Sequence, residues 1–304
     1  METNHNDPLL CNIESGICEI PDRSQPESGQ QTFVGEEQVK IIYFTDPICS
    51  SCWGIEPQLR KLKLEYGQHV AIDYRMGGLL PDWSYNSGGI SKPSDVAHHW
   101  DEVSQYYDMP IDGDVWLEDP LGSSYPPSIA FKAAQLQDSE TALRFLREIR
   151  EMVFLKKINI TKWEHLATAA ANVGLDVLQL ENDFNGKAKA LFKQDLELGV
   201  QLGVRGFPTL FFVDENGHLE KVYGTKPYST YEAALRKQLS TAVKKPVDTD
   251  WQKLFAKFNT LTAREFSELS DLARADATVV LQDLATTGEL QELKTKNGSI
   301  WRMD

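Results

Sequence analysis

Two cysteines three residues apart, set where a strand gives way to a helix, constrain this chain more than any other feature. Val39-Lys40-Ile41-Ile42-Tyr43-Phe44 is β-branched and aromatic, the composition of a buried central strand. Asp46-Pro47 closes it. Cys49-Ser50-Ser51-Cys52 then opens a stretch predicted to be helical to about Tyr66, with Gly67 as its stop. Residues 70–76 read as a second strand ended by Gly77-Gly78. A dithiol at a helix start can close a small disulfide ring. The first cysteine sits where the helix dipole and free N–H groups favour a thiolate. That thiolate attacks a disulfide, and the second cysteine resolves the mixed disulfide.

The bland alternative for a C-x-x-C pair is half of a zinc site, which needs a second Cys/His pair at ligand spacing. Nothing of that kind lies near it, the closest candidates being Cys11, Cys18 and His5 in a different setting. The redox reading gains from Gly206-Phe207-Pro208-Thr209, at the start of a later strand. A cis proline there lies beside the dithiol and leaves the preceding backbone free to pair with an extended peptide. Taken alone, Pro208 reads as an ordinary trans proline at a strand entrance.

The remaining chain supplies a frame. Residues 81–125 read as irregular, with Trp83, Trp100, Tyr106-Tyr107 and Trp116 scattered through them. These tryptophans either rim a groove or pack an insertion on the sheet. Residues 127–192 turn helical, with segments at 128–137, 139–155, 163–173 and 177–191. Strand character returns at 208–213, and Asn216-Gly217 marks a hairpin to residues 218–223. Residues 231–239 form a closing helix. After the linker Lys244-Lys245-Pro246 come helical segments at 251–258, 263–272 and 277–286, then a hairpin around Asn297-Gly298. Three helices and a hairpin outline a winged helix. Its third helix carries Asp276 and Asp283, with Arg274 only at its start, which favours a protein contact over DNA. His98-His99 reads as surface or core rather than as metal ligands, and Gly77-Gly78 lacks the spacing of a phosphate loop.

Several quoted segments resemble the DsbA-like branch of the thioredoxin superfamily. They are Asp46-Pro47-Ile48-Cys49-Ser50-Ser51-Cys52-Trp53 with Glu56-Pro57, Met76-Gly77-Gly78-Leu79-Leu80-Pro81-Asp82-Trp83, Ser124-Tyr125-Pro126-Pro127-Ser128, and Gly203-Val204-Arg205-Gly206-Phe207-Pro208-Thr209-Leu210. The likeness covers about residues 39–241. It is nearest to FrnE-type cytosolic oxidoreductases and to Gram-positive adaptors that deliver a transcription factor to the ClpXP protease. It implies an α/β thioredoxin fold with an all-helical insertion, to which the helices and hairpin read above add a small C-terminal winged-helix-like module. The expected division is an acidic, flexible arm at 1–38, the thioredoxin-fold domain at 39–91 and 193–243, the insertion at 92–192 and the module at 247–304. It also implies an enzyme, a disulfide oxidoreductase or isomerase. Cys49 is then the nucleophile and Cys52 the resolving thiol, with Phe207, Pro208, Ser50 and Ser51 at the substrate. No metal or organic cofactor is required. The expected partners are protein or peptide thiols and disulfides, with glutathione or a thioredoxin-type protein as reductant.

Two positions depart from the pattern. The buried acid of thioredoxins falls here on Tyr43, so a proton relay must use Glu56, water or nothing, and Glu56 itself reads as a solvated helix residue. Phe207 is larger than the usual Val or Thr before the proline and is expected to narrow what docks there.

Cys11 and Cys18 lie in the arm and admit three readings: reduced thiols in a tail, an accessory redox pair that exchanges with Cys49–Cys52, or a metal clip with His5. Reducing cytosol disfavours a permanent disulfide. Charge bears on partners. The chain carries a net charge of −14, half of it in residues 1–38, where Arg23 is the lone base against eight acids. Such a surface repels polyanions, so nucleic acid is not an expected partner. No apolar run approaches a membrane span, and the first residues lack a basic, apolar leader, so a cytoplasmic protein is expected. The alternative to an enzyme is a protease adaptor or redox-sensing binding protein on the same scaffold.

Overall fold

The computed structural model describes residues 13, 15–19, 38–85 and 92–303 of the chain. Its centre is a four-stranded sheet made of β2 (Val39–Thr45), β3 (Val70–Met76), β5 (Thr209–Val213) and β6 (Leu219–Tyr223), in the order β3-β2-β5-β6. β2 runs parallel to β3 and antiparallel to β5, with Ile41 level with Ile72 on one side and Phe212 on the other. Covered on both sides, β2 is almost continuously apolar, as a strand buried on both faces must be. The β5–β6 hairpin turns on Asp214, whose Oδ1 accepts the N–H groups of Asn216 and His218, and on Gly217 at φ 82°. Short strands β1 (Cys18–Glu19) and β4 (Gly206–Phe207) form a separate antiparallel pair.

The parallel β2–β3 connection is helical, as such a crossover requires. It consists of α1 (Ser50–Gly54) and α2 (Glu56–Tyr66). The single predicted helix breaks at Ile55, because Pro57 has no N–H to give an ongoing helix and instead sits in the first turn of α2.

The expectation of irregular chain over residues 81–125 is overturned. α3 (Pro93–Tyr107) and the short α4 (Val115–Glu118) lie there. Pro93 and Asp95 start α3, the Asp95 carboxylate accepting the Lys92 N–H, and Val96, Trp100, Val103 and Tyr107 form its buried stripe. Trp100 and Trp116 are buried edge to face at 5.2 Å, and Trp116 meets Trp83 at 5.9 Å. The tryptophans pack rather than line a groove.

The helical insertion comprises α5 (Tyr125–Gln137), α6 (Ser139–Leu155), α7 (Trp163–Asn172), α8 (Val177–Asn185) and α9 (Lys187–Gln201). Gly186 ends α8 and begins α9, splitting what the sequence presents as one segment. Asp138 caps α6 by accepting the Thr141 N–H. Phe145, Leu146, Ile149, Met152 and Val153 give α6 its buried face. α10 (Tyr228–Gln238) packs back on α2, where the Tyr66 hydroxyl donates to Glu232 at 2.6 Å.

The C-terminal residues form a second apolar core around Leu254, Phe255, Leu261, Phe266, Leu281 and Trp301. The elements run α11 (Trp251–Lys257), β7 (Thr260–Thr262), α12 (Ala263–Ser270), α13 (Arg274–Thr286), β8 (Gln291–Thr295) and β9 (Gly298–Arg302), with sheet order β7-β9-β8. That is winged-helix order. The three-residue β7 is too short to announce itself in the sequence. A buried ionic seam joins this unit to the rest. The fully buried Glu265 carboxylate accepts Arg147 Nη1 at 2.7 Å and Nη2 at 3.0 Å, and lies 3.3 Å from Arg60 Nε. Lys296 adds contacts to Asp101 at 2.6 Å and Asp114 at 2.7 Å.

Candidate dithiol site

Cys49 is the residue before α1. Its Sγ accepts the Cys52 N–H at 3.2 Å, so the helix start does aim a backbone donor at the first sulfur. Both Cys49 and Cys52 are free thiols with no exposed surface. Ser50 and Ser51 are buried as well, and the Ser51 hydroxyl pairs with the Tyr107 hydroxyl at 2.8 Å. Tyr107 was not anticipated, since α3 itself was not. The Phe207–Pro208 peptide is cis. The Phe207 ring is accommodated by Gly77: a Cβ there would stand 1.8 Å from Phe207 Cζ.

The position beside the dithiol is occupied by the chain's own arm. β1 pairs with β4, Cys18 opposite Phe207 and Glu19 opposite Gly206. Cys18 is disulfide-bonded, is fully buried, and places its Sγ 3.3 Å from Cys49 Sγ and 3.3 Å from Ser51 Oγ. Cys11, its expected companion in an accessory redox pair, lies outside the described residues, as does His5. Among the described residues, no three His, Cys, Asp or Glu side chains are grouped as a metal site would need.

This burial works against the thiolate expected at Cys49. Loss of water raises the Cys49 thiol well above its ordinary range, and the neighbouring Cys52 and Asp46 add to the rise. Cys52 moves the other way. Burial opposes its ionisation, but the hydrogen bond from Cys49, the Arg150 charge and the hydroxyls of Thr45 and Tyr43 outweigh it. Arg150 comes from α6 in the insertion. It is 1% exposed and donates to Glu56 Oε1 at 2.6 Å and Thr45 Oγ1 at 2.6 Å. Glu56 is therefore an ion-pair partner beneath the site, not a solvated helix residue. The sequence carried no signal for Arg150, since its partners lie about a hundred residues away.

Asp46, read from the sequence only as a strand terminator, is a buried junction. It accepts the Ile48 and Leu79 N–H groups at 3.1 and 2.8 Å and the Ser124 hydroxyl at 2.8 Å, tying the dithiol turn to the loop after β3 and to the start of the insertion. Burial pushes its carboxyl up to about 6.

A dithiol that opens the first helix, a proline loop facing it and a helical excursion between the two halves of the sheet define a DsbA-like protein of the thioredoxin superfamily. The chain belongs to the thioredoxin family, whose model, described as Thioredoxin, matches residues 43–233. Among curated relatives, it is 35% identical over 306 residues to the ClpXP adapter protein SpxH of Halalkalibacterium halodurans, covering 98% of each chain. It is 30% identical over 305 residues to the protein of that name from Shouchella clausii, covering 99% of each. Among solved structures, the cytosolic disulfide reductase DsbM from Pseudomonas aeruginosa superposes with a TM-score of 0.54 at 23% identity, over 65% of this chain and 99% of that one. The adapter relatives thus match across the arm and the C-terminal unit, whereas the reductase corresponds to the thioredoxin-fold portion in fold alone.

Proposed function

We propose that this chain is a cytoplasmic ClpXP adapter built on a thioredoxin scaffold. Its likeness to adapters over 98% of its length carries the reading. The closed dithiol supports it: Cys49 and Cys52 offer no surface to a substrate from solution while the arm is docked. This reverses the order of the two functions expected from the sequence. The test is reconstituted degradation by ClpXP of a transcription factor of the class such adaptors deliver. Cys49→Ser is expected to leave the stimulated rate within about twofold, and loss of stimulation in that variant would overturn the reading.

A second reading, thiol–disulfide oxidoreductase or isomerase, is favoured by one observation: the hydrogen bond from the free Cys49, the Arg150 charge and two hydroxyls together hold the Cys52 thiol low. A second thiol that ionises readily, and so can attack the mixed disulfide at Cys49, is what a resolving pair needs. Its substrates are protein or small-molecule disulfides, with glutathione or a thioredoxin-type protein as reductant. Here Cys49→Ser abolishes turnover. The two readings are compatible in one molecule, and the same variant separates them.

A further inference from the structure

We propose that residues 15–19 are a built-in substrate of the dithiol, presenting the Cys18 disulfide to Cys49 for intramolecular exchange. The inference rests on the oxidoreductase reading of the site and is independent of the adapter reading.

The arm is seated as a peptide substrate would be. β1 adds to β4 by strand pairing next to Pro208, and the Gly16 carbonyl accepts the Thr225 N–H at 2.9 Å and its hydroxyl at 3.1 Å. The seat is shaped on both sides. A Cβ on Gly206 would stand 2.5 Å from the Cys18 carbonyl oxygen, and one on Gly224 would stand 2.5 Å from that of Ser15. Gly16 itself lies at φ 66°, and a Cβ there would come within 2.5 Å of Thr225 Cβ. Ile17 and Cys18 are buried by this contact. Three glycines at the points of closest approach make a fitted joint.

The step balances without an outside oxidant. Cys49, once it has given up its proton, attacks Cys18 Sγ across the 3.3 Å gap. The Cys49–Cys18 bond forms, the existing bond to Cys18 breaks, and the departing sulfur takes the electron pair and the proton that Cys49 gave up. Cys52 then attacks Cys49, and Cys18 leaves as a thiolate that takes the Cys52 proton. Two electrons have passed from the dithiol to the arm. The Ser51 hydroxyl, backed by Tyr107, lies 3.3 Å from Cys18 Sγ and can donate to the leaving thiolate. While Cys18 is seated, an external disulfide must displace a tethered competitor.

The test uses the full chain carrying Cys52→Ser, which stops the exchange at the mixed disulfide. It is treated with oxidised glutathione and alkylated, then mapped by non-reducing peptide mass spectrometry. Cys52→Ala serves as a second trap. The expected product is a monomer with a Cys49–Cys18 disulfide, formed at a rate independent of protein concentration and slowed at least tenfold by Gly16→Val. Cys49 carrying only glutathione while Cys18 keeps its original bond would overturn the proposal, as would a cross-link confined to dimers. If the wild-type Cys49–Cys52 pair closes with glutathione yet no Cys18 cross-link forms, the proposal fails alone. If that pair never closes, the oxidoreductase reading fails and takes the proposal with it.

Discussion

Arg150 and Glu56 meet at 2.6 Å in the floor of the dithiol site, one from the helical insertion and the other from the first turn of α2. The pair spans the two halves of the molecule, and its cation also faces Cys52. Arg150→Met leaves Glu56 with only the longer Arg60 contact at 3.8 Å and removes one of the interactions that lower the Cys52 thiol. Unfolding in urea is expected to show a loss of about 3–5 kcal/mol, the usual cost of breaking a buried pair from one side. The apparent pKa of Cys52, read from alkylation rates against pH, is expected to rise, and Arg150→Lys should restore part of the shift. An unchanged thiol pKa in Arg150→Met would show that the Cys49 hydrogen bond and the hydroxyls hold Cys52 down without the charge.

Glu265 gives a parallel test at the C-terminal unit. Its fully buried carboxylate answers two arginines, which hold it below the usual range against the pull of burial. Glu265→Ala removes the carboxylate the two cations share and leaves Arg147 to Glu151 and Arg60 to Glu56 and the Thr260 carbonyl, so a loss of up to about 3 kcal/mol is expected. Limited trypsin digestion should then cut the segment around Lys244-Lys245 at least tenfold faster than in wild type. Glu265→Gln, which keeps the shape, should fall between the two.

Gly77 is the position where one methyl group has the largest local effect. Gly77→Ala drives a Cβ into the Phe207 ring, and overpacking of this kind costs about 1–3 kcal/mol. Because Phe207 carries the strand on which β1 lies, Cys49 should become accessible, and its alkylation should accelerate in the variant. Thermal unfolding and thiol mapping on one sample check both effects.

His99 is buried in α3 with no partner for Nε2 among the described residues. Burial, helped by His98, pushes its pKa from 6.5 down to about 4. The unfolded chain therefore binds the proton first, and stability present above pH 6.5 is lost as pH falls toward 4. The full effect is about 3 kcal/mol. Asp46 acts oppositely: with its carboxyl raised to about 6, its contribution is fullest below about pH 4 and is lost as pH rises through 6. The two windows overlap, so the informative quantity is the difference between His99→Phe and wild type in urea titrations from pH 4 to 7. That difference should move by about 3 kcal/mol in favour of the variant as pH falls. A flat difference would mean that the ring finds a proton acceptor in the folded state.

What the sequence disclosed was what neighbours along the chain decide. The apolar run of β2, the Cys49–Cys52 turn and the Asn216-Gly217 hairpin are local, and each reads directly. α3 escaped because its stripe of Val96, Trp100, Val103 and Tyr107 is diluted by off-stripe aromatics such as Tyr106. Gly186 divides a helix that still keeps its apolar period on both sides. Arg150 under Cys52, Asp46 bonded to Ser124, and Cys18 against Cys49 are set by packing between distant segments. Their residue types announce nothing without the fold. The dithiol was therefore legible, and the charges that tune it were not.

The Glu265 seam has a mechanical consequence. Arg60 belongs to α2, the helix that follows the dithiol, and Arg147 to α6, which lies across the Trp53 ring at 4.3 Å. One carboxylate from a third region grips both helices at once. Any parting of insertion from sheet must either carry α12 along or tear a bidentate contact out of a dry interior. A force applied at the far end of the molecule is thereby felt at the residue next to Cys52, and the C-terminal unit serves as a lever arm rather than an appendage.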